Sequence, residues 1–78
     1  MTMSDFTLLT PRETEVAKLL ALGLSCREIA DRFGRDVKTI DTHRLFVLRK
    51  LGLANTAQLA RVAIREGFVS MHDEVDDG

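Results

Sequence analysis

The 78-residue chain has no tryptophan or tyrosine, one proline and one cysteine. No apolar run approaches the roughly 18 residues of a membrane span, so a transmembrane helix is not expected. The lone Cys26 forms no internal disulfide. With His43 and His72 it supplies too few ligands for a usual zinc site, so neither metal nor cofactor is expected. The start, Met1-Thr2-Met3-Ser4-Asp5, lacks a basic stretch leading into an apolar one and does not resemble a signal peptide. A cytoplasmic protein is the default expectation. No proline follows Pro11, and strict alternation over a strand length is missing, which argues against a β architecture. Ser/His/Asp and Cys/His arrangements are lacking, as are a carboxylate pair in a plausible cleft and a phosphate-cradling loop, so an enzyme is not expected. What is present is 45% apolar residues, of which few are aromatic. Leu, Val, Ile and Ala must therefore build the core of one small helical domain, a size at which a binding partner adds useful stability.

The net charge is −1, but it is unevenly placed. The tail from His72 to Gly78 holds four of the twelve acids and no Lys or Arg. The rest of the chain has eleven bases against eight acids, a balance of +3. From Arg32 to Lys50, six bases (Arg32, Arg35, Lys38, Arg44, Arg49, Lys50) face only Asp36 and Asp41. A basic segment of this kind attracts phosphate, although a solvated helix face gives the same pattern.

Helix punctuation recurs along the chain. Thr10-Pro11-Arg12-Glu13 combines a capping hydroxyl, Pro at the first helical position and Glu three residues on. The helix it opens spans Pro11 to Leu22, with Val16, Leu19 and Leu20 as its apolar stripe and Gly23 as its stop. Ser25-Cys26-Arg27-Glu28 is a second capping box, for a short helix from Cys26 to Phe33 that ends at Gly34. Asp36 is expected to cap a third helix from Val37 to Leu51, stopped by Gly52. Asn55-Thr56-Ala57-Gln58 opens a fourth, closed by Gly67. The fold class is all-α with four helices. Two short helices joined through Gly34-Arg35, the second longer and basic, satisfy the requirements of a helix-turn-helix.

At this point the residues resemble a known family. Leu9-Thr10-Pro11-Arg12-Glu13-Thr14-Glu15-Val16 is similar to the Leu-Thr-x-Arg-Glu-x-Glu-Val opening of the LuxR/GerE-type helix-turn-helix regulators. Gly23-Leu24-Ser25-Cys26-Arg27-Glu28-Ile29-Ala30 resembles their Gly-x-Ser-Asn-Lys-Glu-Ile-Ala, with Cys and Arg at the Asn and Lys positions. Lys38-Thr39-Ile40-Asp41-Thr42-His43 and Arg49-Lys50-Leu51-Gly52-Leu53 are similar to the segments that begin and end the family's recognition helix. The resemblance runs from Leu9 to about Val69. It divides the chain into an arm (1–8), the domain (9–69) and a tail (70–78), whose acidic composition reads as a disordered solubilising end or as a segment that competes with DNA for the basic face. It implies a bacterial, nucleoid-associated transcription regulator that binds double-stranded DNA. The third helix would enter the major groove, the second would cross the backbone and the fourth would pair two subunits. It further implies a stand-alone domain, without a receiver or ligand-sensing domain, or else a fragment of a longer chain.

On the third helix, Val37, Ile40, Val47, Leu48 and Leu51 gather at 100° per residue into a core face. Arg44 falls within that arc, with its stem packed and its head reaching out. Lys38, Thr42, Phe46 and Arg49 oppose it, flanked by Thr39, Leu45 and Lys50. The expected DNA contacts are Arg27, Lys38, Arg49 and Lys50 to phosphates and Thr39 to a phosphate oxygen. Asp41, Thr42 and Leu45 are expected near the bases. Relatives usually carry Lys in place of Asp41, and often a polar or basic residue in place of Leu45. Asp41 can accept from cytosine N4 but repels phosphates, and Leu45 can pack on a thymine methyl. Leu45 and Phe46 also form an exposed apolar pair, which suits an alternative role. The same fold would then bind another regulator or RNA polymerase, with little sequence-specific reading of DNA. His43 reads as a helix-side residue hydrogen-bonding a neighbour or a phosphate, and Cys26 as an inert residue near a cap. On the fourth helix, Ala57, Arg61, Ile64 and Arg65 fit either a homodimer seam or a plain surface with one stray Ile.

Overall fold

Helices begin where a short polar side chain can take over amides that lack an intrahelical partner, and end where the chain can turn left-handed. The computed structural model, which describes residues 5–68, applies this rule along the chain. A 3-10 turn over Asp5–Leu8 precedes α1 (Pro11–Ala21), α2 (Cys26–Phe33), α3 (Val37–Leu51) and α4 (Thr56–Arg65). No strand occurs among the described residues. The arm expected over 1–8 thus contains a short turn that packs on α3. The tail expected over 70–78, together with Val69, lies outside the described residues.

Both capping boxes form. The Thr10 hydroxyl accepts from the Glu13 amide at 3.1 Å, and the Glu13 carboxylate accepts from the Thr10 amide at 3.0 Å. Ser25 and Glu28 repeat the exchange at 3.1 and 2.7 Å. At α4 the Asn55 side chain accepts from the Gln58 amide, while Gln58 Oε1 reaches back to the Ala54 amide. Asp36 departs from expectation. It occupies the cap of α3 with extended backbone, yet its side chain makes no capping bond. Its carbonyl instead accepts from Thr39 and Ile40, and the exposed carboxylate is left to solvent.

All four helices among the described residues close the same way, with the amide after the terminal glycine bonding back five residues. The bonds are Leu24 to Leu19, Arg35 to Ala30, Leu53 to Leu48 and Phe68 to Ala63, at 2.8–3.1 Å. This closure places the residue after the glycine against the last helical turn, a site that favours an apolar side chain. Leu24, Leu53 and Phe68 accordingly pack against the core. Arg35 is the exception and remains exposed.

The core joins Val16, Ala17 and Leu20 of α1 with Ile29 and Ala30 of α2, Ile40, Val47 and Leu48 of α3, Leu59 of α4 and the preceding Leu9. Helix α3 is central and packs on α2 and α1, while α1 also carries α4. Burying each large aliphatic side chain of this set contributes about 1.5–3 kcal/mol. Val37 was expected on the core face but is 40% exposed. Its wheel angle does not explain this. Leu48 lies 11 residues on, about three turns and close to the same angle, and is only 5% exposed. Val37 is the first residue of α3, an end position that the wheel angle does not describe.

Candidate nucleic-acid interface

The turn between α2 and α3 fixes how α3 is presented. Gly34 ends α2 with φ 66° and ψ 38°, a left-handed conformation that costs a side-chain-bearing residue strain. Only Arg35 and Asp36 separate it from Val37, the first residue of α3. The core pins one side of α3 through Ile40 and Val47, both fully buried. The opposite side is therefore set by the helical repeat. Lys38, Thr42, Leu45 and Arg49 are spaced four, three and four residues apart and fall within an arc of about 60°. All four are exposed, Leu45 at 46%. The Thr42 hydroxyl donates to the Lys38 carbonyl at 3.0 Å, so its proton is engaged within the helix. Among the described residues neither Lys38 nor Arg49 has an ion-pair partner.

The other expected contacts divide differently. Asp41 lies at one edge of the arc, where its Oδ1 accepts from Arg44 Nε at 2.9 Å and from Nη2 at 2.6 Å. Arg44 was expected to send its head outward, but the guanidinium folds back along the helix onto this carboxylate. The Asp41 hydrogen bond raises the Arg44 pKa above its ordinary value, against the opposing effect of burial. Asp41 is thus a carboxylate paired through Oδ1 with a cation of its own helix. Phe46 lies at the other edge, 42% exposed, with Thr39 half-buried beyond it. Arg27 is exposed in the first turn of α2.

Lys50 occupies a different setting. Its Nζ donates to Glu13 Oε1 at 2.7 Å and approaches the Leu8 carbonyl at 3.4 Å. Glu13 is 6% exposed and is the only buried charged residue among those described. Its pKa is lowered first by the Lys50 hydrogen bond and then by the Thr10 amide, with a smaller pull from His43. Lys50 therefore ties the end of α3 to the start of α1. The expected hydrogen bond of His43 is not found at Nδ1, which is buried without a partner among the described residues. Sequence reasoning missed the Lys50–Glu13 pair. The available signal was a capping-box Glu beside a helix that supplies several cations.

Ala57, Arg61, Ile64 and Arg65 are exposed on α4, with Ile64 at 42%. They lie outside the contact that Leu59 and Ala63 make with the rest of the domain. No helix among the described residues is long and apolar enough to cross a membrane.

A family model described as bacterial regulatory proteins, luxR family (GerE) matches residues 7–63. The chain belongs to this family. The match takes in the opening capping box, the α2–α3 helix-turn-helix and most of α4, and the four-helix architecture is that of a luxR-family helix-turn-helix domain. This luxR-family chain is similar to the transcriptional regulatory protein MctR of Rhizobium johnstonii, 44% identical over 62 residues, covering 80% of this chain and 29% of the relative. It is 45% identical over 53 residues to the transcriptional regulatory protein UhpA of Escherichia coli, covering 68% and 27%. It is 34% identical over 65 residues to the oxygen regulatory protein NreC of Staphylococcus aureus, covering 83% and 30%. The luxR-family chain thus spans under a third of the length of these curated relatives.

Proposed function

We propose that this chain is the DNA-binding module of a transcriptional regulator, which places α3 in the major groove and pairs with a second copy through α4. The observation that carries the reading is the exposed stripe Lys38-Thr42-Leu45-Arg49 on the side of α3 opposite the core. The 15 residues of α3 extend about 22 Å, and the stripe begins and ends in a cation without an ion-pair partner among the described residues. Such cations gain affinity by displacing condensed counterions from phosphates. Arg27 and the outward amides of the first turn of α2 suit a backbone contact, as does the Thr39 hydroxyl. Lys50 supports the interface indirectly, as the cation that holds α3 to α1. The names of the relatives, which describe regulatory proteins, support the same role. The exposed α4 residues Ala57, Arg61, Ile64 and Arg65 supply a surface on which two copies can meet about a two-fold axis.

The test is binding of the purified chain to random duplex DNA across a salt series. Log affinity is expected to fall linearly with log salt. Lys38→Ala and Arg49→Ala should each lower the slope by about one unit, and failure to bind any duplex at low salt would overturn the reading. Ile64→Glu should reduce a two-half-site footprint to one half-site. A second reading is favoured by the exposure of Leu45 and Phe46. In it the same fold docks another regulator or RNA polymerase through that pair, and Phe46→Ala abolishes the complex while duplex binding is absent.

A further inference from the structure

The middle of the α3 stripe has few hydrogen-bonding groups left to offer a base. The Thr42 proton is donated to the Lys38 carbonyl. Asp41, the neighbouring acceptor, has its Oδ1 filled by two donors from Arg44. Between the flanking cations Lys38 and Arg49 stands Leu45, an aliphatic side chain 46% exposed, one turn from the Thr42 methyl. An apolar patch bracketed by cations suits a surface where phosphates flank something apolar. In the major groove of duplex DNA that apolar group is the thymine C5 methyl, which no other base carries. Phosphates on either side of the groove meet the charges, while the methyl lies at the groove floor where the centre of the helix approaches.

We infer that this domain recognises its DNA site through a thymine methyl packed on Leu45 and the Thr42 methyl, and not through a side-chain hydrogen bond from the centre of α3. The inference rests on α3 entering the major groove as proposed above. The Asp41–Arg44 pair has a defined part in it. By holding Oδ1 of the carboxylate against the Arg44 guanidinium, it offsets the phosphate repulsion that a free Asp41 would impose, and Asp41 stands at the edge of the stripe, leaving the apolar contact at its centre to discriminate. The selected half-site therefore contains thymine opposite Leu45.

The experiment takes duplexes selected by the purified 78-residue chain and replaces their thymines one at a time with deoxyuridine, which differs only by the missing methyl. Loss of one buried methyl is expected to weaken binding about fourfold at a single thymine per half-site. In Leu45→Ala that penalty should shrink towards unity, with helix content by circular dichroism unchanged because Leu45 is exposed and Ala is a strong helix former. Wild-type protein that tolerates deoxyuridine at every position would overturn methyl recognition while leaving duplex binding intact. A penalty of the same size in Leu45→Ala would assign the methyl to another residue and overturn the role of Leu45. Failure to select or bind any duplex would overturn the proposed function itself, and this inference with it.

Discussion

The first turns of α1 and α2 carry the same four-residue device in two different environments. In each, a hydroxyl caps the third helical amide and a Glu returns the bond. Glu28 does this in solvent, whereas Glu13 does it while 6% exposed and also receives Lys50 from the far end of α3. The local motif thus sets where a helix starts but not how much of the fold rests on it. A capping Glu becomes a tertiary residue when a cation from another element reaches its carboxylate.

Substitutions can break this comparison at either side. The largest effect is expected for Glu13→Ala, which leaves the Thr10 amide and the Lys50 ammonium without their acceptor. A loss of about 2–3 kcal/mol should appear as a lower urea midpoint with an unchanged slope. Lys50→Ala should cost about 1–2 kcal/mol, since the carboxylate keeps the Thr10 amide but loses its charge partner. Its DNA salt slope should match wild type, because the cation it removes is occupied within the domain. A drop of one unit would return Lys50 to the phosphate contacts.

The pH dependence sharpens the same contrast. The Glu13 pKa in the folded state lies below its ordinary 4.5, chiefly because of the Lys50 hydrogen bond. A lowered acid contributes stability that is present above its unfolded value and is lost as pH falls through its folded value. The stability advantage of wild type over Glu13→Gln should therefore be full at neutral pH and shrink on acidification below 4.5. A gap that stays constant to pH 2.5 would exclude the charged pair as its source. The smallest effect is expected for Glu28→Ala, about 0.5 kcal/mol by thermal or urea melts. A loss equal to that of Glu13→Ala would remove the distinction between the two boxes.

Much of the fold was legible because its signals are local. The residues that bound α2 and α3 coincide with those expected from Ser25, Gly34 and Gly52, and α1 ends one residue before its expected limit. What escaped depends on neighbours outside the local window. Asp36 has the composition and backbone of a cap, but whether its carboxylate bonds is a side-chain choice made against water. Val37 has the angle of a core residue, but a helical wheel contains no axial position. Lys50 looked like one of several basic residues at a helix end, and its partner lies 37 residues away. On the candidate interface, Lys38, Thr42 and Arg49 were placed opposite the core from periodicity, but Phe46 was set among them and Leu45 beside them, whereas the helical repeat puts Leu45 within the stripe and Phe46 at its edge. The Arg44 contact with Asp41 is a neighbour pair that spacing permits, but the reading of Arg44 as outward-reaching obscured it.

The Lys50–Glu13 pair also bears on the order in which the molecule assembles. Both capping boxes close over three residues, so they can form as soon as their helices nucleate, whereas the ion pair must close a loop of 37 residues. The entropy of that closure is spent before the pair returns any energy. Contacts made after the folding barrier slow unfolding without speeding folding. The clasp between the ends of α1 and α3 is therefore expected to close late: Lys50→Ala should speed unfolding and leave the folding rate almost unchanged, and a slowed folding arm in denaturant-dependent kinetics would place the clasp in the folding nucleus instead.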